Sequence, residues 1–362
     1  MTARPRLTPA MADTRRAVRV LLRDVFPDAL EAMTKMPGCS GGTGYDVPAD
    51  APLVLVALSG GADSLALAAA TAFEAQRSGL RAGAVIVDHG LQAGSAEVAA
   101  RAAEQARKLG LAPVMIEAVH VAGRVDPQGR IETNGPEANA RAARYTAFET
   151  AIGDAGASAV LLAHTLDDQA ETVLLGLTRG AGTTSLAGME PVTGFYLRPF
   201  LGIRREQTVA ACHDQGLEAW NDPHNDDPSF TRVRIRHEVL PLLEAQMGPG
   251  VAQALARTAE HLQADAEVLD AIAEEVLKVV RVVEGAASVS IEAIEDVPRA
   301  IRVRVYQRAA AAAGLGALAS DHLSGIDSLV TNWHGQAGID VPAGTVVREN
   351  GNLRLASQRA SD

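Results

Sequence analysis

Residues 53–67, LVLVALSGGADSLAL, decide the fold of this 362-residue chain. The apolar run 53–58 predicts a buried strand, the Ser59-Gly60-Gly61 tripeptide predicts a tight turn, and the Ala/Leu-rich stretch 62–76 predicts a helix. A glycine turn between a strand and a helix directs backbone N–H groups and the positive helix end toward one point. This arrangement is typical of a phosphate-binding site.

Asp63 is the unexpected residue of this loop, because a carboxylate beside phosphate oxygens is repelled unless a cation lies between them. We therefore expect Mg²⁺ at Asp63, brought in with a nucleotide. The Walker pattern does not apply, because it has four residues between its glycines and a following Gly-Lys-Ser/Thr. The predicted nucleotide contacts come from consecutive residues of the loop: Ser59, Gly60, Gly61, Ala62, Asp63 and Ser64.

Strand and helix patterns alternate after this element. Strands are predicted at 82–88, 113–121 and 159–164, and helices at 95–109, 137–152 and 167–178. The alternation predicts an α/β fold with a doubly wound parallel sheet, which binds its ligands at the carboxyl ends of the strands. Polar residues gather at those predicted ends, which makes further nucleotide-binding candidates of Asp88, His89 and His164.

The predicted organisation has four parts. An amphipathic helix (8–25) and an irregular connector with a glycine-rich stretch (38–44) form residues 1–51, and the catalytic domain follows over 52–245. A linker helix, predicted over 251–283, occupies residues 246–284, and a small α+β domain covers 285–362. In that last domain we predict strands at 288–291, 338–341 and 353–355 and helices at 298–313 and 321–330.

The composition excludes several classes of protein. No apolar stretch of about 18 residues is present, which argues against a membrane span, and no apolar segment of a secretory signal follows the N-terminal arginines. Cys39 and Cys212 form no C-x-x-C pair, so we expect a reducing, cytoplasmic location and no zinc ribbon or iron–sulfur cluster. The formal net charge of −11 argues against unspecific binding of polyanions, so nucleic acid would be contacted through local arginine clusters.

Charged residues elsewhere form two further sets of candidates. Asp168 and Glu171 are three residues apart at a predicted helix start, so both can face one side of its first turn. Acidic residues there stabilise a helix by themselves. Beside a phosphate loop they would repel ATP, however, and either Mg²⁺ or a substrate amine would balance them. The second set consists of arginines, which suit phosphate contacts but also occur on solvated faces: Arg141, Arg144, Arg179, Arg198, Arg232, Arg234 and Arg236.

Seven motifs occur in order and make a resemblance specific. They are S-G-G-x-D-S at 59–64, D-H-G-L at 88–91, E-A-x-A-R-x-x-R-Y at 137–145, A-H-x-x-D-D-Q-x-E-T at 163–172, R-G-x-G at 179–182, R-P-F-L at 198–201 and T-R-x-R-x-R-H-x-x-L-P at 231–241. The first resembles the PP-loop of the N-type ATP pyrophosphatases. Together, over residues 53–243, they resemble the tRNA(Ile)-lysidine synthetase family.

The resemblance implies a reaction in which ATP adenylates the wobble cytidine of tRNA(Ile) with a CAU anticodon and releases pyrophosphate. The ε-amine of free L-lysine then displaces AMP and forms lysidine, which reads AUA instead of AUG. By motif position, residues 59–64 would bind ATP and Mg²⁺, and Asp168 and Glu171 would bind the lysine. The small C-terminal domain would bind tRNA, and a homodimer is one assembly that we consider.

The same resemblance implies contacts with phosphate or the cytidine for four arginines: Arg141, Arg144, Arg232 and Arg236. Three more are candidates for contact with the tRNA: Arg179, Arg198 and Arg234. One position departs from the family pattern, since Val233 stands where the family often has Asn.

Three alternatives stay open at this stage. A tRNA thiolase shares the PP-loop but needs a sulfur-carrying cysteine, for which Cys212 is the candidate within the catalytic domain. A small-molecule amide ligase, such as an ammonia-dependent NAD synthetase, would not require the arginine cluster at 232–236. A non-catalytic nucleotide-binding module is disfavoured by Asp63 and the acidic pair.

Overall fold

A computed structural model describes residues 7–29, 34–35, 45–90, 94–119, 124–125, 131–132, 136–178, 183–278, 280–283 and 285–357. The chain divides into two compact units, Met1–Glu260 and His261–Asp362. The predicted linker stretch 38–44 and the candidate Arg179 lie outside the described residues. Within the described ranges, no helix has the length and apolar character that a membrane span requires.

The first unit alternates strands and helices as predicted. Its helices are α1 (Pro9–Val25), α2 (Ala62–Glu74), α3 (Ser95–Lys108), α4 (Pro136–Ala155), α5 (Leu166–Thr178), α6 (Thr183–Leu186), α7 (Arg205–Asp214), α8 (Thr231–Arg234), α9 (Leu240–Met247) and the start of α10 (Val251–Leu277). Its strands are β1 (Thr34–Lys35), β2 (Tyr45–Asp46), β3 (Leu53–Ala57), β4 (Arg81–Asp88), β5 (Val114–Ala118), β6 (Arg124–Val125), β7 (Ile131–Glu132), β8 (Ala159–Leu161), β9 (Val192–Thr193) and β10 (Tyr196–Leu197).

The main sheet has the strand order β5-β4-β3-β8-β10-β9, and all its described pairings are parallel except that of β9 with β10. The central strand β3 is buried on both faces, as its continuous apolar run requires. Val54 and Val56 pack in the core that includes α1, α2 and α3, whereas Leu53 and Leu55 pack on the opposite face against α4. The prediction of a mostly parallel sheet with helices on both faces is therefore confirmed.

The basic segment 231–236, for which strand and helix were both open, is helical. α8 continues through a π-helical turn (Ile235–Val239) into α9. The strand predicted at 159–164 is shorter in the structure. Strand β8 ends at Leu161, and residues 162–165, which include His164 and Thr165, lie in a loop.

The described part of the second unit contains the rest of α10, an antiparallel sheet and two further helices, α11 (Arg299–Ala312) and α12 (Ser320–Thr331). Its strands, in the sheet order β11-β12-β15-β14-β13, are β11 (Arg281–Val283), β12 (Ala286–Ser290), β13 (Ile339–Val341), β14 (Gly344–Glu349) and β15 (Asn352–Ser357). The helix predicted over 251–283 is wrong at its end, because residues 281–283 pair with β12. Strand β14, which pairs with β15, was not among the predicted strands.

The core of the second unit encloses a polar group. Asp327 accepts hydrogen bonds from Arg302 Nε (2.8 Å) and from the hydroxyl of the fully buried Tyr306 (3.0 Å). An unpaired charge in this core would destabilise the fold. The Asp327 carboxylate is instead neutralised by the Arg302 guanidinium and accepts a further hydrogen bond from Tyr306. This group joins α11 to α12.

Gly83 on β4 offers a test of the sheet packing. A Cβ at this position would lie 2.5 Å from the Pro113 carbonyl oxygen and 2.9 Å from Leu55 Cδ2. We expect Gly83→Ala to lower the free energy of unfolding by about 1–3 kcal/mol, because the strands cannot separate without losing hydrogen bonds. The control is Gly153→Ala on α4, where nothing lies within 4 Å and the helix should gain up to about 1 kcal/mol. Urea unfolding of both variants checks this, and equal stabilities would contradict the packing described for β4.

Candidate active site

The phosphate loop between β3 and α2 is organised by its own serines. Ser59 N–H donates to Ser64 Oγ (3.2 Å), and Ser64 Oγ donates to the Gly61 carbonyl (2.9 Å). Gly60 adopts a φ of 84°, which a side chain would disfavour. Its carbonyl accepts the N–H of Trp220 at 2.9 Å. The loop is therefore held in shape before any ligand binds.

The first turn of α2 faces the same loop. Its N-cap residue is Gly61, which makes no side-chain capping bond. The first N–H groups of a helix have no partner within the helix, and the dipole favours an anion beside them. The residues present therefore fit the phosphate groups of a nucleotide.

Asp63 lies in this first turn and is 30% exposed at its side chain. Thr208 Oγ1 donates to Asp63 Oδ1, and Arg205 Nε lies 3.7 Å from Oδ2. Burial raises the pKa of Asp63, while the Thr208 bond and the charge of Arg205 oppose that rise.

The surroundings of Asp63 fit a magnesium ion that is bound mainly by phosphate. Among the described residues, no three His, Cys, Asp or Glu side chains form a group able to bind a metal by themselves. Mg²⁺ typically uses one or two protein carboxylates together with substrate phosphates and water. The partly exposed Asp63 carboxylate beside the loop fits that use.

Arg205, the first residue of α7, connects Asp63 to the acidic pair on α5. Its Nη2 donates to Asp168 Oδ1 (2.7 Å) and its Nη1 to Glu171 Oε1 (3.4 Å). Arg236 adds a second cation, because its Nε donates to Glu171 Oε1 (2.8 Å) and its Nη2 to Glu171 Oε2 (3.1 Å). The predicted pairing of Asp168 and Glu171 on one helical face thus occurs, and both arginines bond to the pair.

Asp168 and Glu171 differ in how much accepting capacity remains. Asp168 Oδ2 accepts from the N–H and hydroxyl of Thr165 (2.7 and 2.8 Å), and Oδ1 accepts from Arg205 and Arg236 (2.7 and 3.4 Å). A carboxylate has about four acceptor sites, so Asp168 is saturated. Burial would raise the pKa of Asp168, but Arg205 and the Thr165 bonds outweigh burial and lower it. Glu171 Oε2 accepts only from Arg236 among the described residues, although its side chain is 0% exposed.

A neighbouring pair fixes α7 against α5. Arg204 Nε donates to both oxygens of Asp167 (3.1 and 3.2 Å), and the Arg205 N–H donates to Asp167 Oδ2 (2.7 Å). Arg204, Arg205 and Thr208 are not among the site residues predicted from the sequence. The adjacent arginines, two residues after the end of the R-P-F-L motif, are the signal that would have pointed to them.

The end of β4 brings together a second group of predicted residues. Asp88 Oδ1 accepts the N–H of Gly90 (3.0 Å), and Arg144 Nε donates to His89 Nε2 (3.4 Å). Arg141 lies over the ring of Tyr145, 5.0 Å from its centroid, and donates to its hydroxyl (3.2 Å). Both arginines are exposed on α4 and are available to an anion.

His164 follows β8 between the two groups. The pKa of His164 is lowered to about 4, mainly by burial; the charge of Asp168 opposes this shift, and the charges of Arg198, Arg141 and Arg232 add to it. Its buried Nδ1 has no hydrogen-bond partner among the described residues. A neutral imidazole surrounded by cations suits a site that receives a polyanion.

The other predicted arginines have different surroundings. Arg198 is 7% exposed and donates to the Glu190 carbonyl (2.9 Å) and to Thr193 Oγ1 (3.0 Å). These bonds stabilise the β9–β10 hairpin. Arg232 Nη2 donates to Thr172 Oγ1 on α5 (3.0 Å). Arg234 Nη1 donates to the carbonyls of Pro228 (2.6 Å) and Ser229 (2.9 Å). Val233 is buried.

Two family models match the chain. One, described as a PP-loop domain, matches residues 44–243, and the other, described as the TilS substrate binding domain, matches residues 290–354. The tRNA(Ile)-lysidine synthase of Leifsonia xyli subsp. xyli is 52% identical over 330 residues, which cover 90% of this chain and 97% of that protein. The protein of the same name from Thermobifida fusca is 52% identical and covers 82% and 89%, respectively.

The chain belongs to the tRNA(Ile)-lysidine synthase family. The resemblance inferred from seven motifs is thereby confirmed, and PP-loop membership implies the use of ATP. The match also extends beyond the motif region, because the small second unit contains the substrate binding domain of the family.

A solved structure supports the fold of this synthase-family chain. The U34-tRNA thiolase NcsA from Methanococcus maripaludis superimposes with a TM-score of 0.51 at 18% identity, over 70% of this chain and 79% of that one. This likeness concerns the fold alone.

The pKa of His164 leads to a pH-dependent stability. Burial holds this pKa at about 4, below the ordinary 6.5, so the unfolded chain binds the proton first. Stability is unaffected above pH 6.5 and falls as the pH drops from 6.5 toward 4. We expect the wild type to lose about 2 kcal/mol more than His164→Gln between pH 7.5 and pH 5. Denaturant unfolding at both pH values measures this, and an equal loss in both proteins would show that His164 protonates freely when folded.

Proposed function

We propose that this chain ligates free L-lysine to the wobble cytidine of tRNA(Ile) with a CAU anticodon, in two steps through an adenylated cytidine. The observation that carries the proposal is the chain of contacts from Asp63 through Arg205 to Asp168 and Glu171. It brings a phosphate loop and an amine-attracting acidic pair into one site, as a reaction between ATP and an amine requires.

In the first step, the loop 59–64 and the start of α2 bind the phosphates of ATP through backbone N–H groups. Arg141 and Arg144 are both exposed, and we propose them for contacts with pyrophosphate or RNA phosphate. Bound Mg²⁺ at Asp63 would supply neutralisation of the charge that develops on departing pyrophosphate. Asp88, His89 and His164, at the ends of β4 and β8, complete the proposed ATP site.

In the second step, the amine nitrogen of lysine attacks the ring carbon of the cytidine, the bond from that carbon to the AMP-bearing oxygen breaks, and AMP leaves. The amine is first captured as an ammonium near the site, and it must give up a proton to a carboxylate such as Glu171 or to water before its nitrogen can attack. Asp168 is saturated by Thr165 and two arginines, so its proposed role is to orient Arg205. Glu171 has the remaining acceptor site and is therefore our primary candidate for the amine contact.

The tRNA contacts are proposed for arginines of the first unit and for the second unit, which matches the substrate binding domain of the family. Arg232 and Arg234 are partly exposed, and Arg232 donates to Thr172, the residue that follows Glu171 on α5. Arg198 is buried against the β9–β10 hairpin, so we assign it to that hairpin and not to the RNA surface.

The thiolase alternative finds no support at Cys212. This thiol is buried, and burial raises its pKa to about 11. A sulfur-transferring cysteine needs an accessible thiolate near neutral pH. Cys212 packs in the core with α1 and α2, and its Sγ contacts the Leu217 carbonyl.

The proposal is tested by ATP–pyrophosphate exchange and by lysine incorporation with tRNA(Ile) transcripts that carry CAU or GAU anticodons. We expect both activities to require the CAU transcript, and Asp63→Asn to reduce exchange by at least about 100-fold, since it removes a group that stabilises developing charge. The matched control is Asp24→Asn, at an exposed position on α1. Exchange without RNA would instead indicate a small-molecule ligase.

The two carboxylates should differ in kinetics. We expect Glu171→Gln to raise the KM for lysine by about 10–100-fold while pyrophosphate release on tRNA continues, because one charge-assisted contact to the amine is weakened. Asp168→Asn should instead slow both half-reactions, because Arg205 loses its closest partner. Single-turnover release of pyrophosphate and of AMP at varied lysine separates these effects. A lysine-independent defect in Glu171→Gln would assign Glu171 to the metal or to ATP.

A further inference from the structure

Trp333 is one of two tryptophans in the chain, and it is not among the residues that form or line the core of the second unit. It is 40% exposed and lies directly after α12, in a run of exposed residues at 331–335. Single exposed apolar side chains are common on protein surfaces. Trp333 differs from them because the fold holds its ring in one position.

Arg348 of β14 covers one face of the Trp333 ring. Its guanidinium carbon lies 5.3 Å from the ring centroid, which is within the range of a cation–π contact. Arg348 Nη1 also donates to the carbonyls of Leu329 (2.8 Å) and Val330 (3.4 Å) in the last turn of α12. Carbonyls in that turn have no partner within the helix. The helix end therefore fixes the guanidinium, and the guanidinium fixes the ring.

The loop that carries Trp333 is closed by its own hydrogen bonds. The His334 N–H donates to Gln336 Oε1 (2.8 Å), and Gln336 Nε2 donates to the carbonyls of Asn332 (3.1 Å) and Ser328 (3.4 Å). The Asn332 N–H donates to the same Ser328 carbonyl (3.0 Å). The residues on both sides of Trp333 are thus fixed before a partner binds, which lowers the entropy cost of binding.

We propose that Trp333 is a stacking platform for an unpaired nucleobase of the substrate tRNA. Every nucleobase has a flat π face, and proteins commonly bind single-stranded RNA by stacking its bases on aromatic side chains. Since Arg348 covers one face of the ring, the base stacks on the other. The inference rests on the proposed function, which supplies the RNA, and it assigns a contact to one residue of the segment that matches a substrate binding domain, 290–354.

The charges around the ring favour RNA as the partner. The stretch 331–338, TNWHGQAG, contains no carboxylate, although the chain has a net charge of −11. Phosphate groups therefore meet no repulsion from this loop. Arg348 Nε and Nη2 have no hydrogen-bond partner in the described part of the unit, so they are donors for a base edge or a phosphate. In a duplex the bases stack on one another, so the platform suits an unpaired base.

Substitution of Trp333 tests the platform. We expect Trp333→Ala to raise the Kd and the KM for the CAU transcript by about 5–100-fold, the effect of one stacked base, with kcat at saturating tRNA changed by at most about twofold. Trp333→Tyr keeps an aromatic ring and should bind almost as the wild type does. Trp333→Leu keeps apolar bulk without a π face and should resemble Trp333→Ala. The matched control is Val282→Ala, at a position that is 54% exposed on β11, which should leave the Kd unchanged.

Fluorescence gives a direct readout of the stacking, because the chain contains two tryptophans. The Trp220→Phe variant keeps the backbone N–H that bonds Gly60, and all its tryptophan emission comes from Trp333. We expect the CAU transcript and a short single-stranded RNA to quench this emission, since a stacked base contacts the indole ring. A short RNA duplex should quench it much less.

Three outcomes would overturn the inference. One is an unchanged Kd for tRNA in Trp333→Ala together with unquenched Trp333 emission. Another is full affinity in Trp333→Leu, which would assign the ring to apolar packing against a protein. The third is a change of oligomeric state in Trp333→Ala at an unchanged Kd, which would assign this face to a second copy of the chain.

Two further controls keep the result interpretable. If Trp333→Ala has a lower melting temperature than the wild type, the comparison of Trp333→Tyr with Trp333→Leu decides the inference, because both variants fill the position. The proposed function fails by a different measurement, the absence of CAU-dependent lysine incorporation in the wild type. The quenching of Trp333 by RNA does not depend on that reaction, so the two failures are distinguishable.

Discussion

The site depends on one ionic interaction, the placement of the Arg205 guanidinium among Asp63, Asp168 and Glu171. These carboxylates come from α2 and α5, two helices that begin at the same edge of the sheet, and without a cation between them they would repel one another. The charges of Asp168, Glu171, Asp63 and Asp167 outweigh burial and raise the pKa of Arg205, which stays charged. A buried ion pair stabilises little by itself, but removal of one partner is costly. Arg205 therefore couples the phosphate loop to the acidic pair.

The surrounding contacts fix where Arg205 can lie. Asp167 accepts both the Arg204 side chain and the Arg205 N–H, so the first turn of α7 is held against the first turn of α5. From the other side, Gln207 Nε2 donates to Asp13 Oδ2 of α1 at 2.9 Å. The N-terminal helix, for which the sequence analysis gives no function, thereby supports the helix that presents Arg205 and Thr208. These polar contacts mainly fix the position of Arg205 and Thr208, and they contribute less to the stability of the fold.

The two ends of the site differ in electrostatic character, which fits a reaction between a polyanion and a cation. Around β4 and β8, exposed arginines and the neutral His164 favour phosphate groups. At α5 the charge of the buried Glu171 is balanced by Arg205 and Arg236, and Glu171 is the residue that we propose for the ammonium. An acidic chain with a net charge of −11 thus concentrates positive charge locally, and nucleic acid binding does not require a basic protein.

The sequence alone determined the sheet, the phosphate loop and the family, because their signals are local. Apolar runs, the glycine turn after residue 58 and the i, i+3 spacing of Asp168 and Glu171 each lie within a few residues of one another. The prediction of secondary structure was wrong where the local pattern is ambiguous. Residues 281–283 continue the apolar periodicity of α10, but in the structure they form a strand that pairs with β12. Only the tertiary structure decided that Arg205 and Thr208, about 140 residues from Asp63, complete the site, and that Arg198 braces a hairpin. The reason is physical: which charges are balanced and which donors remain free depends on contacts between distant helices, and no spacing along the chain specifies them.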